Sequence, residues 1–243
     1  MLIVVLDSAT PAITAAVASV TDRVEVLAER VTVDARAHGE LLAPGIEAAL
    51  REAGAKPRDL AAVVAGLGPG PFTGLRVGLV TAAALADALA IPGYGVGTLD
   101  ALGWAVARGA TAPPDGATAP PDGAGADPVG APGRVLVATD ARRREVYWAV
   151  YDAGVRIAGP AVGAPAALPL PDGVTEAVGD GALRYAEVLG LPVRAEPRYP
   201  PAAGLAALAA DRVRAKAPGE PLVPLYLRRP DAVEPAARKA VLP

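Results

Sequence analysis

The chain has 243 residues, 52% of them hydrophobic, with a formal net charge of −3, a single histidine and no cysteine. That length allows one two-lobed domain or two small ones around a sizeable core. The lack of cysteine excludes disulfides, thiolate nucleophiles and cysteine metal sites, and the acidic balance leaves any RNA contact to a local patch or to another protein.

The opening Met1–Leu6 is apolar but short and reaches Asp7 at once, which reads as a buried strand and not as a signal peptide. No uninterrupted apolar run has transmembrane length, since Val77–Ala90 is broken by Thr81 and Asp87. A cytoplasmic protein without membrane contact is expected. A turn at Asp7–Pro11 leads to a second strand over Ala12–Val20. Val24, Val26 and Ala28 then alternate with Glu25, Leu27 and Glu29, as in a half-exposed third strand.

A helix is predicted from Ala37 to Ala53, with Leu42, Ile46, Ala49, Leu50 and Ala53 on one stripe and Gly54 as its stop. Ala61–Gly66 is an apolar run of the buried parallel type. It enters a glycine-rich loop, Gly68 to Gly74, followed by a helix over Leu75–Ala90, a short strand over Gly93–Val96 and a helix from Thr98 to about Arg108. Residues 109–133 nearly repeat an Ala-Pro-Pro-Asp-Gly unit and read as linker or loop, with no function assigned. The second half opens with a strand over Val135–Asp140, a turn at Arg142–Arg144 and a strand over Glu145–Asp152. Helices are predicted at Leu183–Leu189 and Pro201–Lys216, and an extended segment at 221–229.

Three meandering strands followed by helix, strand, helix, strand, helix is the ribonuclease-H-like order. The repeated strand–Asp–turn–strand start, with Asp7 and Asp140 in equivalent places, suggests a duplication. The fold class predicted is α/β, an actin-like ATPase (ASKHA, duplicated ribonuclease-H-like) fold with two lobes, the second reduced. The lobes are residues 1–108 and 134–243, the latter with a C-terminal extension.

Several segments could carry chemistry. Asp7, Ser8 and Thr10, with Asp140, are nucleotide candidates, because a carboxylate and hydroxyls on such a hairpin can approach phosphates and magnesium. An ordinary hairpin turn explains them as well. The loop residues Gly68, Pro69, Gly70, Phe72, Thr73 and Gly74 match neither the Walker pattern nor the dinucleotide fingerprint, and Pro69 and Pro71 remove amide donors. The following helix is polar only at Arg76, Thr81 and Asp87, so both its sides need covering. Gly78, Ala82 and Ala86 form a row of small residues open either to the chain's own Ala37–Ala53 helix or to a helix of another subunit. Together with His38, Leu42, Ile46 and Arg76 they make the candidate partner face, and Ala82→Arg is expected to weaken pairing while the monomer stays folded. His38 has no second imidazole for a zinc site and is expected to be partly exposed. Neither serine sits in a nucleophile elbow. Arg142–Arg144 and Arg228–Arg229 are the basic clusters, explained by solvated turns or by phosphate contact.

These segments resemble one family. Gly68-Pro69-Gly70-Pro71-Phe72-Thr73-Gly74-Leu75-Arg76-Val77-Gly78 is similar to the GPGSFTGLRIG signature of the TsaB (YeaZ) proteins, with Pro71 for serine. Leu6–Thr10, Ala37–Leu42, Asp140–Tyr147 and Pro224–Arg228 resemble further family segments in the same order, with Ser8 and Ala9 departing from the family's Thr-Ser. The resemblance implies a part in making N6-threonylcarbamoyladenosine at position 37 of tRNAs reading ANN codons. It implies pairing with the related transferase TsaD, with the small ATPase TsaE joining the assembly. The tRNA is reached through the complex, and self-dimerisation is open when the partner is absent. TsaD holds a metal through HxxxH after the fifth strand, where this chain has Thr98 and Leu102, so a non-catalytic subunit with no catalytic or metal residues of its own is implied. ATP or ADP at a degenerate or shared site stays open, with Gly179-Asp180-Gly181 as the nearest adenosine-binding segment. A stand-alone actin-like hydrolase or kinase, or a glycoprotease-like peptidase, is the alternative.

Overall fold

The structure, a computed structural model, describes residues 1–109 and 133–228. Residues 110–132 of the linker expected at 109–133, and Arg229, lie outside the described residues. The elements run β1 (Leu2–Asp7), β2 (Ala12–Val20), β3 (Val24–Val33), α1 (His38–Glu52), β4 (Leu60–Gly66), α2 (Phe72–Leu89), β5 (Gly93–Val96) and α3 (Thr98–Ala107). The second half adds β6 (Arg134–Asp140), β7 (Val146–Asp152), β8 (Val155–Gly163), β9 (Val174–Val178), α4 (Asp180–Arg184), α5 (Ala186–Leu189) and α6 (Ala202–Arg214).

Two mixed sheets result, ordered β3-β2-β1-β4-β5 and β8-β7-β6-β9. In each, an antiparallel meander is extended by a parallel strand beside its first strand. This is the two-lobed actin-like architecture, the second lobe one strand smaller. β1 and β4 are apolar on both faces because both faces of the first sheet are covered. On one side lie α1 and α2, meeting Val4, Leu6, Val17, Val63 and Ala65. On the other lies α6, meeting Ile3, Val5, Ala16, Ala62 and Val64. So α6, which follows the second sheet in sequence, belongs in space to the first. Helix α3 is the wall between the lobes: Ala101 faces the α6 layer, while Leu99, Leu102 and Val106 pack on β6 and β7.

The segment after α6 straps the lobes together. Glu220 N–H donates to Gly93 O and Leu225 N–H to Leu67 O, so it covers the β5 edge. Leu222 then packs into the α1–α2 layer, and Arg228 reaches Ala141 O and Glu145 in the second lobe.

Two strands, β8 and β9, are absent from the sequence reading. Both are edge strands of the second sheet and carry exposed residues, and Gly159–Pro160 interrupts the apolar pattern of β8. Helix α2 starts at Phe72, three residues before the predicted Leu75. Gly74 reads as loop, yet it is glycine inside the helix because Ser8 O and His38 press on it: a Cβ there would lie 2.9 Å and 3.2 Å from them.

Candidate functional site

The first hairpin is folded onto its own chain. Asp7, Ser8 and Thr10 are 1%, 2% and 2% exposed. One Asp7 oxygen accepts from Ala9 N–H at 2.9 Å, and the other from the Thr98 hydroxyl at 2.7 Å. Thr98 in turn accepts from Gly68 N–H at 3.1 Å, which ties hairpin, loop and α3 into one chain of bonds. Ser8 Oγ donates to Gly74 O at 2.8 Å and accepts from Gly78 N–H at 2.9 Å. Thr10 Oγ1 accepts from Ala12 N–H, and His38 Nε2 meets Thr10 O at 2.9 Å. Burial pushes the Asp7 carboxyl up to about 6 against the hydrogen bonds from Thr98 and Ala9.

The glycine-rich loop packs directly on this hairpin. A Cβ on Gly70 would lie 2.2 Å from Ala9 O, so only glycine lets the two backbones touch. Tyr147 Oη, from the other lobe, donates to Gly70 O at 3.4 Å. Asp7 and Ser8 are therefore committed to protein partners, whereas the Thr10 hydroxyl accepts only from Ala12 N–H and lines a cavity of about 260 Å³ together with Ser8, His38 and Gly74. The residues present do not fit the transferase metal. Thr98 is held by Asp7 and Gly68, while Leu102 is a fully buried core residue, so neither supplies a metal donor. Ser8 and His38 bond to backbone groups, with no bond between them.

Asp7 and Asp140 each end the first strand of their sheet, and each accepts from the N–H two residues further on, Ala9 at 2.9 Å and Arg142 at 3.2 Å, as the expected equivalence requires. Thr139 Oγ1 is buried with no partner among the described residues. Asp140 instead lines a cleft between the lobes, with Asp180 beside it: Asp140 N–H donates to Asp180 Oδ1 at 3.3 Å. Burial, reinforced by the Asp140 charge, pushes Asp180 up to about 6. Sequence reasoning placed Asp180 only within a glycine segment.

The candidate partner face faces the wrong way. His38, Leu42, Ile46, Gly78 and Ala82 are buried against the sheet and the hairpin. A Cβ on Gly78 would lie 2.3 Å from Ser8 Oγ, so the small-residue row admits the chain's own hairpin, not a foreign helix. Ala82 is 0% exposed, which removes the expectation that Ala82→Arg leaves a folded monomer. Ala86 is half-buried in the same layer. Arg76 alone of the group is exposed. The outward face of α2 carries Phe72, Arg76, Val80, Ala83 and Ala84, with Val80 62% and Phe72 52% exposed. Phe72 stacks on Tyr226 of the strap at 5.3 Å, with the Arg76 guanidinium 4.9 Å over its ring. A groove of about 410 Å³ runs between Val80, Ala83, Leu222, Pro224 and Tyr226. By length and composition α2 also has the makings of a membrane span, at mean hydropathy 1.4; its buried stripe lies on the first sheet.

Fold and site define a class: an actin-like ATPase-fold protein whose first hairpin packs against its own glycine loop. The comparisons agree. A family model described as TsaD, tRNA N6-adenosine threonylcarbamoyltransferase, matches residues 25–216. YeaZ from Pseudomonas aeruginosa superposes with a TM-score of 0.71 at 27% identity, covering 93% of this chain and 99% of that one. An uncharacterized protein of Mycobacterium tuberculosis is 48% identical over 95% of this chain and 93% of its own length. The Escherichia coli tRNA threonylcarbamoyladenosine biosynthesis protein TsaB is 35% identical over 118 residues, 48% of this chain and 42% of its own. The chain belongs to the TsaB (YeaZ) family.

Proposed function

We propose that this chain is a non-catalytic partner subunit in N6-threonylcarbamoyladenosine modification of tRNAs that read ANN codons, acting in the cytoplasm with a TsaD-like transferase and a TsaE-like ATPase. The observation that carries the reading is the outward face of α2. Phe72 and Val80 are more than half exposed along a helix that also presents Ala83 and Ala84, and the strap extends the same apolar surface through Leu222, Pro224 and Tyr226. Contiguous apolar surface of this kind is costly to leave in water and is the usual mark of a docking site. Small residues at its centre permit close helix approach, and Arg76 at its edge adds a cation for orientation.

The internal commitment of Asp7, Ser8 and Thr98 supports the non-catalytic part, because the groups that would meet a phosphate or a metal are already bonded. The test is reconstitution of the modification with the purified TsaD-like and TsaE-like proteins of the same organism, omitting each protein in turn. Modification that needs this chain, with no transfer or peptide cleavage by the chain alone, is the expected outcome. Turnover by the isolated chain would overturn the reading.

A further inference from the structure

Residues 217–227 form no helix or strand, yet the strap they make is fastened on both lobes. On the first lobe, Glu220 N–H donates to Gly93 O at 3.0 Å, the Glu220 carboxylate accepts from Gly95 N–H at 2.8 Å, and Leu225 N–H donates to Leu67 O at 2.8 Å. The next three residues cross over. Tyr226 stacks on Phe72 of α2, Leu227 packs on the layer between α3 and the β6–β7 pair, and Arg228 donates to Ala141 O at 3.0 Å and pairs with Glu145. Only Leu227 separates the ring on the outer face of α2 from the guanidinium on the second lobe, a backbone span of at most about 7 Å.

Arg228 ends on a strained turn. Arg142, Arg143 and Arg144 all lie in the left-handed region, at φ 62°, 55° and 63°, which side chains with a Cβ avoid. The neck of the turn is bonded by Ala141 N–H donating to Glu145 O and by Glu145 N–H donating to Arg142 O, both at 3.0 Å. Arg228 grips both sides of this neck, the Ala141 carbonyl on one and the Glu145 carboxylate on the other. Strained backbone persists only where its surroundings over-determine it. Here those surroundings include an arginine whose place is set from the other lobe.

The other end of the link is open to a partner. Tyr226 is 43% exposed and forms one wall of the groove beside Val80 and Ala83. A helix seated in that groove touches the Tyr226 ring and presses it onto Phe72.

We propose that the strap is a latch that carries the state of the outer face of α2 to the Arg142–Arg144 turn. An occupied groove holds Tyr226 on Phe72, which holds Arg228 on the neck and fixes the left-handed turn; an empty groove leaves the turn freer to open. The trigger of this latch rests on the docking reading of α2, and its transmission rests on the strap alone.

Hydrogen exchange at the Ala141 and Glu145 amides, resolved by nuclear magnetic resonance on the isolated chain, tests the transmission, because both amides exchange when the turn opens locally. Arg228→Ala is expected to speed both at least about tenfold, through loss of hydrogen bonds made by a charged group. Tyr226→Ala, which removes a side chain bonded to neither amide, is expected to speed both at least about threefold. Tyr226→Phe keeps the stack, and Val223→Ala alters a strap residue that is 64% exposed; both are expected to exchange as wild type does. The Tyr226→Ala/Arg228→Ala double variant should exchange no faster than Arg228→Ala, since the ring acts through the arginine. Unchanged rates in Tyr226→Ala, or additive rates in the double variant, overturn the latch. With a TsaD-like protein bound, the same two amides are expected to slow at least about threefold; a complex that forms and leaves them unchanged also overturns it. The free-chain rates need no partner, so they judge the strap even where docking through α2 fails.

Discussion

Replacing Asp7 by asparagine tests the buried bond chain most sharply. The carboxyl is fully buried, and its proton affinity rises from an ordinary 3.8 to about 6. Between those values the folded chain holds a proton that the unfolded chain has released, so stability falls as pH rises through the window. At about 1.4 kcal/mol per unit, the shift sets a ceiling of roughly 3 kcal/mol on the neutral-pH cost of keeping Asp7 ionised. Asparagine keeps an oxygen for Ala9 N–H and turns an amide toward the Thr98 hydroxyl, which can accept while still near Gly68 N–H. Urea unfolding of wild type and Asp7→Asn at closely spaced pH values from 4 to 7.5 gives the difference in stability, which cancels the other titrating groups. The variant is expected to gain on the wild type by about 1–3 kcal/mol across that range, most of it between pH 4 and 6. A difference that stays flat with pH would refute the desolvated carboxylate as the source.

Gly70→Ala would place a methyl 2.2 Å from the Ala9 carbonyl oxygen, against Ala9 backbone with no flexible side chain to yield; a loss of about 2–3 kcal/mol in urea unfolding is expected. Ala82→Arg buries a charge in the α1–α2 layer and should abolish cooperative unfolding, whereas Ala83→Arg, one residue further and exposed, should leave the melting temperature within a few degrees, as circular dichroism would record. Tyr151→Phe removes the phenol that donates to Asp100 Oδ1 at 2.8 Å across the lobe boundary, where Arg156 also pairs with Asp100; about 1–2 kcal/mol should be lost.

Much of the fold was legible in the sequence because local and global signals agree. The apolar runs of β1, β4 and β6, the stripe of α1 and the Asp-turn-strand repeat all stand in buried, regular elements. The edge strands β8 and β9 were not, since half-exposed strands next to Gly159–Pro160 and Asp172–Gly173 carry no clear alternation. The residues of the predicted partner face lie together in the α1–α2 layer, but most of them point inward. Gly78, Ala82 and Ala86 do mark a close approach, but periodicity cannot say whether the visitor is another chain or Ser8 of the same one. Asp7 and Asp140 share a strand end and a turn hydrogen bond, but only packing shows that Asp7 is 1% exposed while Asp140 lines the interlobe cleft. The outward face was hidden for a related reason: in a helix apolar nearly all round, only packing tells Val80 from Leu79, one 62% exposed and the other 5%.

The most direct measurement is size-exclusion chromatography with light scattering of this chain mixed with its TsaD-like protein, comparing wild type with Val80→Arg. A stable heterodimer for the wild type, lost in a Val80→Arg chain whose far-ultraviolet circular dichroism is unchanged, is the predicted result. Equal complex formation by the two chains would contradict docking through the outer face of α2.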